Sequence, residues 1–258
     1  MKLHHVSCSL MAYQSIKDKT ALITGGSEGI GLGIAETFVD AGARVIITAR
    51  NRDKLDAAKK KLGGKVETLV HDVRDTESSP GHIEEALKLH GSLDILVNNA
   101  GAGLYKPVSE TSLQDFDLMF ETNVRGLFAL TNSAIPALKN ARGSVINICS
   151  ASAKRGLHNW SVYSASKSAV LMLTELWAKE LAPNVRVNAL SPGGVDTAIF
   201  DKAFGDKKDE IMDRVHAQHL MGKAGTPNDI GRAALYLATE DWVTGTNMIV
   251  DGGLSHRI

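Results

Sequence analysis

Thr24-Gly25-Gly26-Ser27-Glu28-Gly29-Ile30-Gly31 decides how this chain is read. A short apolar run, Thr20–Thr24, leads into it, and an amphipathic run, Gly31–Ala41, leaves it. Glycines in a strand-to-helix turn let the backbone take positive φ and let a ligand approach closely. The helix that follows offers unpaired N–H groups and the positive end of its dipole, which suit a pyrophosphate. The spacing is Gly-x-x-x-Gly-x-Gly. Taken alone it leaves open a glycine-rich turn with no nucleotide.

Outward from this turn the same alternation repeats. Arg44–Thr48, Val66–Val70, Asp94–Val97, Ser144–Ile148, Val185–Leu190 and Asn247–Val250 are short and mostly apolar, as strands covered on both faces are. Lys54–Leu62, His82–His90, Gln114–Leu138, Val162–Leu181 and Pro227–Thr239 carry helical patterns. The last opens on a good start signal: Thr226 as cap, Pro227 in the first turn and Asp229 behind it. The alternation predicts an α/β chain with a Rossmann-like doubly wound fold, a seven-stranded parallel sheet with helices on both faces.

No linker, low-complexity tract or repeat divides the chain, so one domain is expected over 17–258 after an N-terminal tail, 1–16. Met11 reads as a natural start, with the first ten residues an added leader or a disordered tail. Residues 196–220 form a long insertion carrying Ile199, Phe200, Phe204 and Met212 among charges. It reads either as a helical flap over the site or as a surface helical pair with its own small contacts.

Composition removes several function classes. Lys+Arg and Asp+Glu both count 29, so there is no electrostatic footprint for nucleic acid or an anionic membrane. No apolar stretch approaches the roughly 18 residues of a transmembrane helix, and Met1–Tyr13 lacks a signal-peptide core. Neither Cys8 nor Cys149 sits in a Cys-x-x-Cys pair, which argues against a zinc site or disulfide framework and for a cytoplasmic setting. His216 and His219 have no evident third ligand, so no metal is expected; they read as a polar helix face or a pocket lining. Lys54 and Lys59-Lys60-Lys61, interleaved with Asp53 and Asp56, read as a solvated helix face.

The second strand ends at Thr48-Ala49-Arg50, about 20 residues past the glycine turn, where a nucleotide fold places the adenosine ribose. An acid there would hold the 2′-OH of NAD; the planar donor fork of Arg50 matches a 2′-phosphate instead. NADP(H) is therefore expected, with NAD(H) as the alternative. A surface arginine that merely starts a helix is the competing reading.

Tyr163-Ser164-Ala165-Ser166-Lys167 puts a phenol and an ammonium on one helix face. A nearby ammonium lowers a phenol's pKa from its usual value of about 10. Such a tyrosine can give a proton to a carbonyl oxygen or take one from an alcohol. The pair alone is common on solvated helices. Support comes from Ser150, just past the strand Ser144–Ile148, at the carboxyl end where open α/β sheets bind ligands. Its hydroxyl can donate to a substrate oxygen. Asn123 lies mid-helix, where asparagine is mildly unfavourable, which hints at a polar task.

With these motifs in order, the chain resembles the single-domain short-chain dehydrogenase/reductases, in the branch of the 3-oxoacyl and tropinone reductases. The likeness runs from about Lys17 to Leu254. It rests on Thr24-Gly25 through Gly31, Asp72-Val73, Asn98-Asn99-Ala100-Gly101, Asn123, Ser150, Tyr163 with Lys167, Pro192-Gly193 with Thr197, and Val250-Asp251-Gly252-Gly253.

The resemblance implies roles. Tyr163 would be the general acid/base, and Ser150 would orient the substrate oxygen. Lys167 would bind the nicotinamide ribose and lower the tyrosine pKa. Asn123 would hold a water that passes protons from Lys167 to solvent. Gly25, Ser27, Glu28, Gly29, Ile30 and Gly31 would cradle the phosphates, Asp72 with Val73 would meet the adenine, and Asn99, Ala100 and Gly101 would line the cleft. Pro192, Gly193, Val195 and Thr197 would cover the nicotinamide and its phosphate. NADP-preferring members often carry a base where Glu28 stands, so the NADP(H) expectation rests on Arg50.

Candidate pocket residues are Leu104, Ala151, Ser152, Leu157, Trp160, Val195, Ile199, Phe200 and Phe204, mostly apolar. That suits a hydrophobic ketone, a ring ketone or a 3-oxoacyl thioester better than a free sugar. Reduction of such a carbonyl is the leading expectation. An NAD(P)-dependent alcohol or sugar dehydrogenase working oxidatively is the alternative. A non-catalytic nucleotide-binding regulator is the outside one, and it would be expected to have lost Tyr163, Lys167 or Ser150. The family pairs its long helices into homodimers or homotetramers. Phe116, Phe120, Leu127, Phe128 and Leu130 put apolar residues on more than one face of Gln114–Leu138, as a helix buried on both sides would.

Overall fold

The computed structural model describes residues 15–197 and 208–256. Seven strands, β1 (Thr20–Thr24), β2 (Arg44–Ala49), β3 (Val66–Val70), β4 (Ile95–Asn98), β5 (Ser144–Ile148), β6 (Arg186–Pro192) and β7 (Asn247–Val250), form one sheet in the order β3-β2-β1-β4-β5-β6-β7. All six pairings are parallel. The chain winds outward from β1 to β3, then returns to β4 on the other side of β1. That reversal opens a crevice at the carboxyl ends of β1 and β4.

The helices are α1 (Gly29–Asp40), α2 (Arg52–Lys61), α3 (Ser79–His90), α4 (Leu113–Phe120), α5 (Leu127–Ala141), α6 (Ser161–Leu181), α7 (Lys208–Gln218) and α8 (Pro227–Thr239). Alternate residues of each strand point to opposite faces. Ala21 and Ile23 join Ile34, Phe38, Ile230 and Leu237 in a core beneath α1 and α8. Leu22 joins Leu96, Leu130, Leu138, Val170 and Trp177 in a second core beneath α5 and α6. Each fully buried Leu, Ile or Phe contributes about 1.5–3 kcal/mol. The start signal of α8 is realised as a capping box: Thr226 accepts from the Asp229 N–H, and the Asp229 carboxylate accepts from the Thr226 N–H.

Most elements shift by one to three residues at an end, and three differences from the expected layout have a clear physical cause or consequence. Asp94 stays outside β4, because its carboxylate accepts from the Thr20 N–H at 2.9 Å and from Lys19 at 3.0 Å. Gln114–Leu138 is not one helix. Between α4 and α5 lies a widened turn of π type, Glu121–Gly126. Gly126 there lies against the Val73 carbonyl, with no room for a Cβ. Widened turns of this kind recur at functional sites. Ile16, placed in the tail by sequence, is buried in the first core.

A chain of buried side-chain hydrogen bonds crosses the second layer. The Asn98 amide donates to Thr131 and to Asn147, each at 2.9 Å, and the Asn147 amide donates to Thr174 at 2.9 Å. It joins β4, β5, α5 and α6 just below the crevice. Among the described residues, no helix is long and apolar enough to cross a membrane.

Candidate active site

A cleft of about 650 Å³ runs across the carboxyl ends of the central strands. Gly25, Ser27, Glu28, Gly29 and Ile30 line it from the turn after β1, Arg50 from the end of β2, and Asp72 and Val73 from the end of β3. Asn99, Ala100 and Gly101 follow β4; Ser150 follows β5; Tyr163 and Lys167 come from α6; and Pro192, Gly193 and Thr197 come from the end of β6 and its loop.

Two residues expected in the cofactor cleft do not line it. Gly31 is buried under the turn, where a Cβ would collide with the Gly25 carbonyl, so its lack of a side chain permits the turn. Val195 is buried and bridges to Gly225. The floor is fixed by side chains. Asn99 donates to the Thr24 and Gly25 carbonyls at 2.9 and 3.0 Å, while the Thr24 hydroxyl accepts from the Asn99 and Ala100 N–H groups.

The residues present fit a pyrophosphate. α4 and α8 are closed by capping boxes, but α1 has neither a side-chain cap nor an acid in its first turn. Its first residues, Gly29 and Ile30, face the cleft. An uncapped helix start presents N–H donors and a positive dipole end to an anion.

At the end of the cleft expected to take the adenosine, Arg50 is exposed along the wall. Asp72 is paired with Arg74 at 2.7 Å, and that hydrogen bond, with the Arg50 charge adding to it, holds its carboxyl below the usual range. Lys54, read from sequence as part of a solvated face, instead lines the cleft and pairs with Glu28 at 2.7 Å. It stands in the first turn of α2, just past Arg50, and that proximity was the available signal. Glu28 therefore meets a lysine, not bare solvent.

At the other end Tyr163 stands half-buried beside Ser150. Desolvation pushes its phenol up to about 12, against the pull of a hydrogen bond from the Ser150 hydroxyl. The expected lowering by Lys167 is not what the site shows. The Lys167 ammonium lies 6.0 Å from the ring centroid and donates to the Ile148 carbonyl at 2.9 Å. Burial also lowers its own pKa. Desolvation thus outweighs charge at both groups.

The Ser150 oxygen accepts from the Ser152 N–H at 3.1 Å, and the two hydroxyls lie 2.9 Å apart. Ser152 therefore braces Ser150 from beneath rather than lining the cleft. Asn123 is buried in the widened turn. Its amide oxygen accepts from the Ala102 N–H at 2.8 Å, and its NH₂ donates to the Ala102 carbonyl and to the Ser166 hydroxyl. Both ends of the Asn123 side-chain amide are thus occupied by protein atoms.

Of the expected substrate residues, Trp160 lines the cleft, edge-on to Tyr163 with centroids 5.1 Å apart. Tyr105 meets Trp160 at 5.7 Å and extends this aromatic wall. Leu104, Ala151 and Leu157 lie outside the cleft lining, Ala151 buried and Leu157 exposed. Ile199, Phe200 and Phe204 lie outside the described residues. Sequence reasoning also missed His71, Ala102, Leu118 and Thr122, which carry no motif of their own. His71 is buried, meets the His82 ring at a tilt with centroids 4.1 Å apart, and is pushed down to about 4, by burial first and by His82 second.

A family model described as enoyl-(acyl carrier protein) reductase matches residues 25–255. The chain is 37% identical over 244 residues to the L-fucose dehydrogenase of Bos taurus, covering 91% of this chain and 88% of that protein. It is 35% identical over 249 residues to the 3-oxoacyl-[acyl-carrier-protein] reductase FabG of Chlamydia pneumoniae, covering 92% of this chain and 97% of that protein. Among solved structures it resembles an actinorhodin polyketide ketoreductase with NADPH: TM-score 0.87 and 29% identity over 95% of this chain and all of that one (100%).

Proposed function

The chain belongs to the short-chain dehydrogenase/reductase family, and from that premise we propose that it reduces a small, mainly apolar ketone, aldehyde or 3-oxoacyl group to the alcohol with NADPH. That it is an NAD(P)-dependent oxidoreductase follows from the family itself. The observation that carries the reductive reading is the Tyr163 phenol, pushed up to about 12 by desolvation and set beside Ser150 in the cleft. A phenol of that pKa holds its proton at neutral pH and can give it to an oxygen on which negative charge develops.

The nicotinamide, when bound, supplies the hydride. The chain's own residues do the rest. Ser150 donates a hydrogen bond to the substrate oxygen and stabilises the developing charge. Tyr163 protonates that oxygen. Lys167, held by Ile148, keeps an ammonium at the floor of the cleft for a ribose hydroxyl. Asn123 acts through position, tying the Ala102 loop to Ser166 in the second turn of α6. At the end expected to take the adenosine, Arg50 supplies a cation beside the Lys54–Glu28 pair, which favours a 2′-phosphate over a bare hydroxyl. The similar polyketide ketoreductase is described with NADPH.

Parallel titrations with NADPH and NADH, followed by a carbonyl panel, test this. Micromolar NADPH binding with much weaker NADH, and turnover of apolar carbonyls, is the expected result. Tighter NADH binding with oxidation of sugars would favour the second reading, a dehydrogenase like the similar L-fucose enzyme. A non-catalytic regulator has no use for the retained Ser150, Tyr163 and Lys167.

The same reading includes a cytoplasmic setting and a homotetramer or homodimer. Leu127 and Leu130 are buried in the core, while Phe116 and Phe128 are exposed on this chain. A groove of about 330 Å³ lies between α4, α5 and α6, with Phe120, Val124, Phe128 and Leu173 as its apolar lining and Asp117, Glu121 and Arg125 as its charged one. Pairing of these faces would cover it, and sedimentation of the purified protein reads the assembly directly.

A further inference from the structure

The turn after β6 meets the cleft through Pro192 and Gly193. The next residue, Gly194, is held on both sides of its backbone. Its carbonyl accepts from the Gly225 N–H at 2.9 Å. Its N–H donates to Nε2 of His219 at 3.1 Å. His219 follows α7 directly, and its ring is buried, with 4% of its surface exposed.

An Nε2 that accepts leaves the proton on Nδ1. Nδ1 lies 2.6 Å from the Val215 carbonyl and donates to it. One neutral tautomer thus satisfies both ring nitrogens. Two glycines make room for the ring. A Cβ on Gly194 would stand 2.9 Å from Cε1 of His219, and one on Gly252 would stand 3.2 Å from Cδ2. The end of α7, the turn after β6 and the turn after β7 therefore meet at one imidazole.

This contact has a consequence inside the cleft. In a trans peptide the carbonyl points opposite to the N–H of the next residue. Fixing the Gly194 N–H on His219 therefore fixes the Gly193 carbonyl on the other side, and Gly193 lines the cleft.

We propose that His219 is a positioning residue for cofactor binding: its Nε2 sets the orientation of the Gly193–Gly194 peptide, and with it the surface that the turn after β6 offers to a nicotinamide. This rests on the NADP(H) reading above.

Two amide replacements separate the ring's two bonds. His219→Asn keeps a donor for Val215 but cannot reach Gly194. His219→Gln places an acceptor near the Nε2 position. Both are measured in two ways: amide hydrogen exchange at Gly194 without cofactor, and NADPH affinity by fluorescence titration. A part-buried N–H that loses its acceptor is expected to loosen the peptide enough to weaken binding about tenfold. The Asn variant is expected to exchange Gly194 about tenfold faster and to bind NADPH about tenfold more weakly, with the Gln variant near wild type on both. Wild-type exchange and affinity in the Asn variant overturn the proposal. So does a Gln variant as impaired as the Asn one, since the acceptor would then not matter. If the Asn variant does not fold, His219→Met replaces it, with the reach of Gln and no comparable acceptor. A wild-type protein that shows the exchange pattern but binds no NADPH sinks the cofactor reading and this use of the peptide with it, while the peptide lock stands.

Discussion

The Asn123 amide reaches the Ser166 hydroxyl across 2.9 Å, from the widened turn between α4 and α5 to the first turns of α6. Ser166 in turn donates to the Tyr163 carbonyl at 2.7 Å. The proton donor of the proposed reaction is therefore tied, through two hydrogen bonds, to a residue on another helix. Displacing a reacting group by about 1 Å can cost on the order of 10²-fold in rate. Asn123→Ala is expected to lower turnover about 10–10²-fold, with a smaller loss for Ser166→Ala. Steady-state kinetics with NADPH held saturating measures both, and wild-type turnover in Asn123→Ala would refute the coupling.

Tyr163→Phe removes the proton donor and leaves the cleft's shape. Turnover is expected to fall about 10²–10⁴-fold with NADPH affinity nearly intact. The pH profile carries the same information. With the phenol pushed up to about 12, the protonated, donating form persists through neutral and mildly alkaline pH and is lost only as pH approaches that value. Reductive turnover should stay level from pH 7 to 9. A fall centred near pH 7 would show that another group, or a much lower tyrosine pKa, governs the step.

At the adenosine end, Arg50→Ala is expected to cut the preference for NADPH over NADH by about 10–10²-fold, the worth of one charge-assisted hydrogen bond. Lys54→Ala should act in the same direction. Glu28→Gln removes a negative charge next to the same cations and should raise NADPH affinity a fewfold. Paired Kd measurements with the two dinucleotides read all three. Equal losses for both dinucleotides would mean that Arg50 does not read the 2′ position.

His71 gives the fold an acid-sensitive term. Its folded-state pKa is pushed down to about 4 from 6.5, so below pH 6.5 the unfolded chain takes up the proton that the folded one refuses. Stability is therefore complete above about 6.5 and is lost as pH falls towards 4, by up to about 3 kcal/mol. His71→Leu should flatten the fall in Tm between pH 7 and 4.5. The same slope in wild type and variant would place the acid sensitivity elsewhere.

The strands were legible in the sequence because each is short, apolar and followed by a turn whose residues have a physical reason to be there. The constellation of Ser150, Tyr163 and Lys167 was legible because spacing on a strand end and a helix face fixes where side chains meet. What spacing cannot show is how charges are solvated. Lys167 spends its ammonium on the Ile148 carbonyl, and Lys54 leaves a charged helix face to meet Glu28. Both outcomes depend on neighbours distant in sequence. The widened turn was hidden for a similar reason, since the apolar period of Gln114–Leu138 runs through it unbroken while Asn123 turns aside to bind Ala102. Ser152 and Gly31, expected at the site, stand one layer below the cleft lining, and each supports a residue that lines it.

The buried amide chain through Asn98 and Asn147 bears on how the two strands find each other. A slip of one residue between parallel strands would turn apolar side chains to the wrong face, and burial alone forbids it. A slip of two residues would not, since every apolar side chain would keep its layer. Asn98 stands opposite Asn147 in the ladder, and a two-residue slip would strand both amides in a dry layer. The polar pair thus rejects the one misalignment that hydrophobicity tolerates. It fixes the heights at which the chain leaves β4 for Asn99 and β5 for Ser150, both of which line the cleft.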